Sequence, residues 1–297
     1  MKICVLNITP VPAEYLAASR ATVDACCAGV LAPGTELAIR APALGTVTLP
    51  QYLEDFRNPW FQHLVAHEVI RTVIETDREG FDAIVVNCFD DPGVKEARAR
   101  VRTPVFGISE PALHHACQLG AKLGALVPDM PGQVAFVKGQ IEAMGLSSRL
   151  VPNGVRAERK RFTESFAEAL ADPGAMIARL DAQARELVDD GADVVVIACG
   201  GLGQVCGTQG WHVLEHHGAR VPVVNPLATA VKTAEMMLGL QRALGTPIPG
   251  QAHAVRLGAH DIARIERGFG INGREPRLPG NAGPIPHAGM DEKTSAR

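Results

Sequence analysis

Two cysteines stand where chemistry could be done. Cys88 ends the apolar run "FDAIVVNC", Cys199 ends "ADVVVIAC", and each follows an aspartate, Asp82 or Asp193, by six residues. A lone cysteine at the end of an apolar strand is ordinarily a small packing residue. The same residue at the same place in two similar stretches asks for a further reason. Inverting a carbon stereocentre beside a carbonyl needs a base on one face to take a proton and an acid on the other to return one. A free thiol titrates at about 8.5, so modest local help ionises one member near neutrality while its twin stays protonated, and the two exchange roles at each turnover. "CGG" at 199–201 brings backbone N–H groups unobstructed by side chains to an enolate oxygen, and "CFDDPG" after Cys88 predicts a helix opened by Asp-Asp-Pro. Helix N-termini at both cysteines would favour thiolate and enolate alike. The N–H groups around Phe89, Asp90, Gly200 and Gly201 are thus candidate substrate contacts.

The elements that must position these thiols are legible as short β-branched runs alternating with longer helical stretches, the pattern of βα units and a parallel sheet. Strands are predicted at 3–6, 36–40, 83–88, 105–108, 123–127, 194–199 and 221–224; helical patterns run over 51–79, 94–100, 131–144, 174–190 and 227–240. The chain also repeats internally. After each cysteine come a helical stretch and a Pro-Val strand start, "TPVFGISEPAL" and "VPVVNPLATAV", and "KICVLNITP" and "KLGALVPDM" read as matching opening strands. Ligands of open α/β sheets bind outside the carboxyl ends of the strands, so facing halves would turn both thiols into one cleft.

The remaining features mostly exclude. A composition of 46% hydrophobic and 21% charged residues with net charge −3 is that of a globular protein without an electrostatic footprint for nucleic acid or an acidic membrane. The one basic cluster, "RAERKR" at 156–161, reads as a solvated turn or helix start. The chain opens directly on a strand and has no apolar run of membrane-spanning length, so a cytoplasmic protein is expected. Seven cysteines without regular spacing or a C-x-x-C imply reduced thiols, with Cys4, Cys117 and Cys206 as packing residues. His63 and His67 share a helix face but lack the H-E-x-x-H order, and the adjacent pairs Cys26-Cys27, His114-His115 and His216-His217 receive no role; no metal is expected. "CGGLGQVCG" lacks the G-x-G-x-x-G order of a phosphate loop. From Asn272 onward the chain is rich in Gly and Pro and reads as a flexible tail, 272–297.

In "VVNCFDDPGVKEARARVRTPVFGISEPAL", "GADVVVIACGGLGQV" and "VPVVNPLATAVKTAEMM" the chain resembles the cofactor-independent aspartate/glutamate/hydantoin racemase superfamily, most closely its hydantoin racemase branch, over residues 1 to 245. The resemblance implies two pseudo-symmetric three-layer αβα domains with parallel sheets and an active site in the interdomain cleft. The first domain is 1–103 plus 225–250, its final helix crossing back, and the second is 104–224. It implies a small-molecule substrate, most simply a 5-substituted hydantoin or related cyclic ureide, no flavin, pyridoxal phosphate or other cofactor, and a homo-oligomer. Cys88 and Cys199 match the catalytic acid/base cysteines, Glu110 a position near the cleft, and Asn7 with Thr9 a polar substrate loop. Two loops depart from the family: "NITPVP" stands where Asn-Pro-Asn is common, and "VPDM" at 127–130 where Thr-Thr is. Both bear on the substrate rather than on proton transfer.

Other readings stay open on the same residues. An amino-acid racemase, or a maleate-isomerase-like or arylmalonate-decarboxylase-like enzyme of the same fold, is the alternative; the last two would use one thiol. A ligand-binding protein would need neither, and a redox sensor would join them.

Overall fold

Strands covered by helices on both faces should be apolar throughout, and the computed structural model, which describes residues 1–9, 16–247 and 257–269, builds two such sheets. The chain runs through β1 (Lys2–Asn7), α1 (Leu16–Cys26), β2 (Glu36–Arg40), α2 (Leu49–Asp55), α3 (Pro59–Thr76), β3 (Ala83–Asn87), α4 (Val94–Arg100) and β4 (Val105–Phe106). These strands form a parallel sheet in the order β2-β1-β3-β4. It continues through α5 (Ser109–Leu119), β5 (Leu123–Asp129), α6 (Gln133–Ala143), β6 (Leu150–Arg161), α7 (Phe162–Ala169), α8 (Pro173–Asp189), β7 (Val194–Ile197), α9 (Gly200–Thr208), β8 (Val213–His216), β9 (Ala219–Val224) and α10 (Pro226–Leu244). The second sheet has the order β6-β5-β7-β9-β8, parallel except for the β8-β9 hairpin. Three helices open on a polar cap followed by proline: Asn58-Pro59, Asp172-Pro173 and Asn225-Pro226, where each cap side chain accepts a backbone N–H of the first turn.

Side-chain alternation distributes the core. Ile3, Val5 and Val85 of the first sheet and Ala125, Val194 and Val196 of the second meet in one central cluster between the sheets. Their neighbours Cys4, Leu6, Ile84 and Val86 face an outer layer under α3 and α4, while Leu126, Val195 and Ile197 face another under α8. The two sheets therefore share a core, and residues 1–254 form one compact unit. The internal repeat has a physical basis. Asp82 accepts the Lys2 backbone N–H at 2.7 Å, and Asp193 accepts the Lys122 N–H at 2.8 Å, so each aspartate ties the opening strand of its half to the strand that carries the cysteine.

Differences from the sequence reading are local. Val105 pairs with Ile84, so β4 belongs to the first sheet although it lies beyond residue 103. "RAERKR" is not a turn or helix start but the end of the edge strand β6. Edge strands tolerate charge, and here Arg156 reaches Glu186 and Asp190, Arg159 reaches Glu186, and Lys160 reaches Glu168. The β8-β9 hairpin turns through His217 and Gly218, both at positive φ (49° and 75°), the geometry of a two-residue primed turn. His216 and His217 are therefore hairpin residues, and both rings reach Asp189 at the end of α8. Leu16–Cys26, Ser109–Leu119 and Phe162–Ala169 are helices that the sequence pattern did not reveal. Residues 255–297 form a separate unit, described over 257–269, with α11 (Ala259–Gly268); the stretch read as a tail lies outside the described residues.

The glycines of "CGGLGQVCG" make a packing face. A Cβ on Gly203 would lie 2.9 Å from Pro226 Cδ, and one on Gly207 would lie 2.6 Å from Cys26 Sγ and 3.1 Å from Cys26 Cα, so α9 approaches α10 and α1 at backbone distance. Alanine normally stabilises a helix by about 1 kcal/mol over glycine, and it should do so at Gly139 in α6, where a Cβ meets nothing within 4 Å. Gly207→Ala is expected to do the reverse, costing about 1–3 kcal/mol through overpacking. Urea unfolding of the two variants side by side checks the opposite signs.

Candidate active site

Cys88 follows β3 directly and Cys199 caps α9 just after β7, so both thiols leave the carboxyl ends of parallel strands. Gly200 lets the two ends meet. A Cβ there would lie 2.8 Å from both the backbone oxygen and Oδ1 of Asn87, the residue before Cys88. Between the two ends opens a cavity of about 660 Å³ lined by Cys88 and Cys199, with Phe89, Asp90, Gly200 and Gly201 beside them and Asn7 and Thr9 from the first strand's loop. Asn7 is held in place by accepting the Asn87 side-chain amide at 2.9 Å and donating to Ser19 at 3.1 Å. Pro10 and Pro12 of that loop lie outside the described residues. Glu110 does not line the cavity; its half-exposed carboxylate pairs with Arg98 on α4 at 3.2 Å.

"CFDDPG" does not open the next helix, which begins only at Val94 after Gly93 at φ +70°. Asp91, at φ +49°, instead turns its carboxylate onto the start of α5, accepting the N–H groups of Ile108 at 2.8 Å and Ser109 at 3.4 Å and the Ser109 hydroxyl. Gly107 leaves the space, since a Cβ there would overlap that carboxylate at 2.1 Å. One tether thus links "CFDDPG" with "FGISE" and fixes the turn that carries Cys88.

The expected help toward thiolate is present but outweighed. The Asp90 N–H points at the Cys88 sulfur, and those of Leu202 and Gly201 point at Cys199. Burial nevertheless pushes the Cys88 thiol well above its ordinary value, with the Asp90 carboxylate adding to it, and pushes Cys199 up to about 11. In the free cavity both are thiols at neutral pH. Each also senses charge from other cavity residues, and Cys88 senses that of Cys199.

Several cavity residues carry no sequence signal. Tyr52 and Arg57 come from α2 and the turn after it, Gln133 from α6, Phe162 and Phe166 from α7, and Gln204 from α9. Tyr52 Oη, Asn87 Oδ1, Gln133 Oε1, Gln204 Nε2 and two Arg57 nitrogens are buried without a hydrogen-bond partner among the described residues. Arg57 pairs with Asp90 and lies over the rings of Phe56 and Phe136 at 4.6 and 4.7 Å. Aromatics and a proline-broken helix pair are core-like in sequence, and only the fold brings them to the thiols.

One trio elsewhere has metal-ligand composition: the Nε2 atoms of His216 and His217 lie 2.8 and 2.9 Å from Asp189 Oδ1. Arg185 Nη1, which can only donate, sits 3.2 Å from His216 Nδ1, so that ring carries its proton on Nε2 toward Asp189 and offers no lone pair there.

The two-sheet arrangement is shared with solved racemases. Allantoin racemase from Klebsiella pneumoniae superposes with a TM-score of 0.64 at 21% identity, covering 87% of this chain and 95% of that one. Allantoin racemase from Pseudomonas fluorescens gives 0.63 at 24%, covering 87% and 99%. In sequence, the hydantoin racemase of Pseudomonas sp. (strain NS671) is 25% identical over 245 residues, 81% of this chain and 87% of its own, and that of Paenarthrobacter aurescens is 27% identical over 247 residues, 81% and 92%. Residues 36–234 match the family described as Asp/Glu/Hydantoin racemase. The chain belongs to the Asp/Glu/hydantoin racemase family and is an enzyme of the isomerase class.

Burial pushes the Asp91 carboxyl up to about 7 against its three donors. The folded state therefore keeps a proton that the unfolded chain loses at about pH 4, and stability from this group, full below that value, is lost as pH rises through about 7. Asp91→Asn, which cannot ionise, is expected to flatten the stability profile across that window. Chemical unfolding at a series of pH values measures it.

Proposed function

We propose that this enzyme racemises a carbon alpha to a carbonyl by two-base proton transfer, with Cys88 and Cys199 as the paired acid and base and a 5-substituted hydantoin or related cyclic ureide as substrate. The observation that carries the reading is that both thiols, from equivalent strand ends of two sheets, line one cavity. One removes the proton from one face of the substrate carbon while the other delivers a proton to the opposite face. The enolate oxygen formed between these steps is met by backbone N–H groups of the two cysteine turns.

The ureide is favoured by what the cavity leaves unpaired. Asn87 Oδ1 and Gln133 Oε1 are acceptors in need of N–H groups, while Tyr52 Oη and Gln204 Nε2 are donors in need of oxygens. A ring alternating N–H and C=O answers both kinds, which a dicarboxylate without N–H does not. Leu53, Met130, Phe162 and Phe166 line the rest of the cavity and suit an apolar substituent at the stereocentre.

Incubating each enantiomer of a 5-alkyl hydantoin in deuterated buffer, followed by NMR and optical rotation together, tests the mechanism. Wild type should exchange the proton and lose rotation. Cys88→Ser and Cys199→Ser should each lose racemisation by at least about a hundredfold, while each keeps exchange of a single, opposite enantiomer. Absence of exchange by wild type would remove the racemase reading on these substrates in favour of ligand binding.

Because both thiols are pushed upward, kcat/KM should rise with pH, roughly tenfold per unit below the first ionisation of the pair. A pH-rate series from neutral into alkaline buffer shows the slope. A plateau at neutral pH would mean that some other group is the base.

A further inference from the structure

We propose that Arg57 is a positioning residue for the proton-transfer pair: it holds and neutralises the Asp90 carboxylate, so that this buried negative charge does not oppose ionisation of Cys88 and Cys199. The inference rests on the reading of these two cysteines as acid and base.

Arg57 stands just beyond α2, where its side chain is 12% exposed and that of Asp90 6%. Its Nη2 is bonded to Asp90, whose other oxygen receives Gln133 Nε2 at 3.5 Å, and the guanidinium is flanked by Phe56 from the first half and Phe136 from the second. Nε and Nη1 have no partner among the described residues. A guanidinium buried with two idle nitrogens is costly, and what it does hold is the one carboxylate whose own backbone N–H supports the Cys88 sulfur. Asp90 thus acts twice on that thiol, its amide favouring the thiolate and its carboxylate opposing it. Arg57 acts on the opposing half.

The pair also reaches the second thiol, since Asp90 and Arg57 bear on Cys199 with opposite signs. The other groups facing the thiols are Tyr52 of α2, Asp91 in the Cys88 turn and Cys206 of α9. Burial holds Tyr52 and Cys206 neutral well past neutral pH, and Asp91, pushed up to about 7, adds above that pH a negative charge that wild type and all the variants share, so Arg57 and Asp90 are the charges whose removal the curves report. In a low-dielectric enclosure an uncompensated carboxylate moves a neighbouring acid by one unit or more.

Iodoacetamide alkylation, quantified separately for the Cys88 and Cys199 peptides by mass spectrometry from about pH 6 to about pH 11, reads thiolate formation without substrate. Arg57→Met is expected to move both curves up by about one pH unit, roughly tenfold slower alkylation at a given pH. Arg57→Lys, which keeps the charge, should stay near wild type, and Asp90→Asn should move the curves down. In Arg57→Met with Asp90→Asn, removal of the carboxylate should bring them back to the wild-type position or below. An unshifted curve in folded Arg57→Met, or a shift that persists in the double variant, overturns the proposal. If Arg57→Met fails to fold, Asp90→Asn decides alone: curves unchanged or moved up overturn it. Failure of hydantoins to exchange would leave these curves as they are, and a null result in alkylation would leave racemisation untouched.

Discussion

The site depends on how closely two strand ends can meet. β3 and β7 belong to different sheets, and their last residues are brought together only because Gly200 has no side chain to hold Asn87 away. From that contact the rest follows. The thiol after each strand is delivered to the same space, and the helix after Cys199 must then run tightly past its neighbours, which Gly203 and Gly207 allow against Pro226 and Cys26. Asp82 and Asp193 clamp the incoming strands at the far ends of the same sheets. The central core of valines and leucines shared by both sheets keeps the two clamped frames in register.

Within the cavity, solvation and hydrogen bonding oppose one another. Three backbone N–H groups point at the two sulfurs, yet burial dominates, because a thiolate removed from water loses more than a few amide dipoles return. The same competition is repeated three residues after Cys88. Asp91 takes three donated hydrogen bonds at the start of α5 and is still raised by its surroundings. Asp90 shows it a third time: the paired Arg57 guanidinium and the Gln133 amide draw its carboxyl down, and burial still pushes it up.

Much of this was legible from the chain itself. The cysteines, their aspartates and the strands around them stand out because a strand covered on both faces must be apolar, and such runs are short and conspicuous. Glu36–Arg40 and Val94–Arg100 fall where the pattern puts them. β6 was hidden because an edge strand can alternate with arginines that are satisfied by a distant helix. The misreading of Asp-Asp-Pro was a question of partner. An aspartate before a proline suits a cap, but the helix that Asp91 caps starts at Ser109, not at the next turn. Arg57 and the α7 phenylalanines reach the cavity through contacts between remote segments, which no local periodicity encodes.

Burial of the paired thiols has a consequence outside the reaction. Peroxides and electrophiles attack thiolates rather than thiols, and sulfenic acid formation follows thiolate content and exposure. A cysteine pair kept protonated at rest spends little time in the form that such agents consume. The surroundings that make either thiolate hard to generate thereby give each thiol a long chemical lifetime.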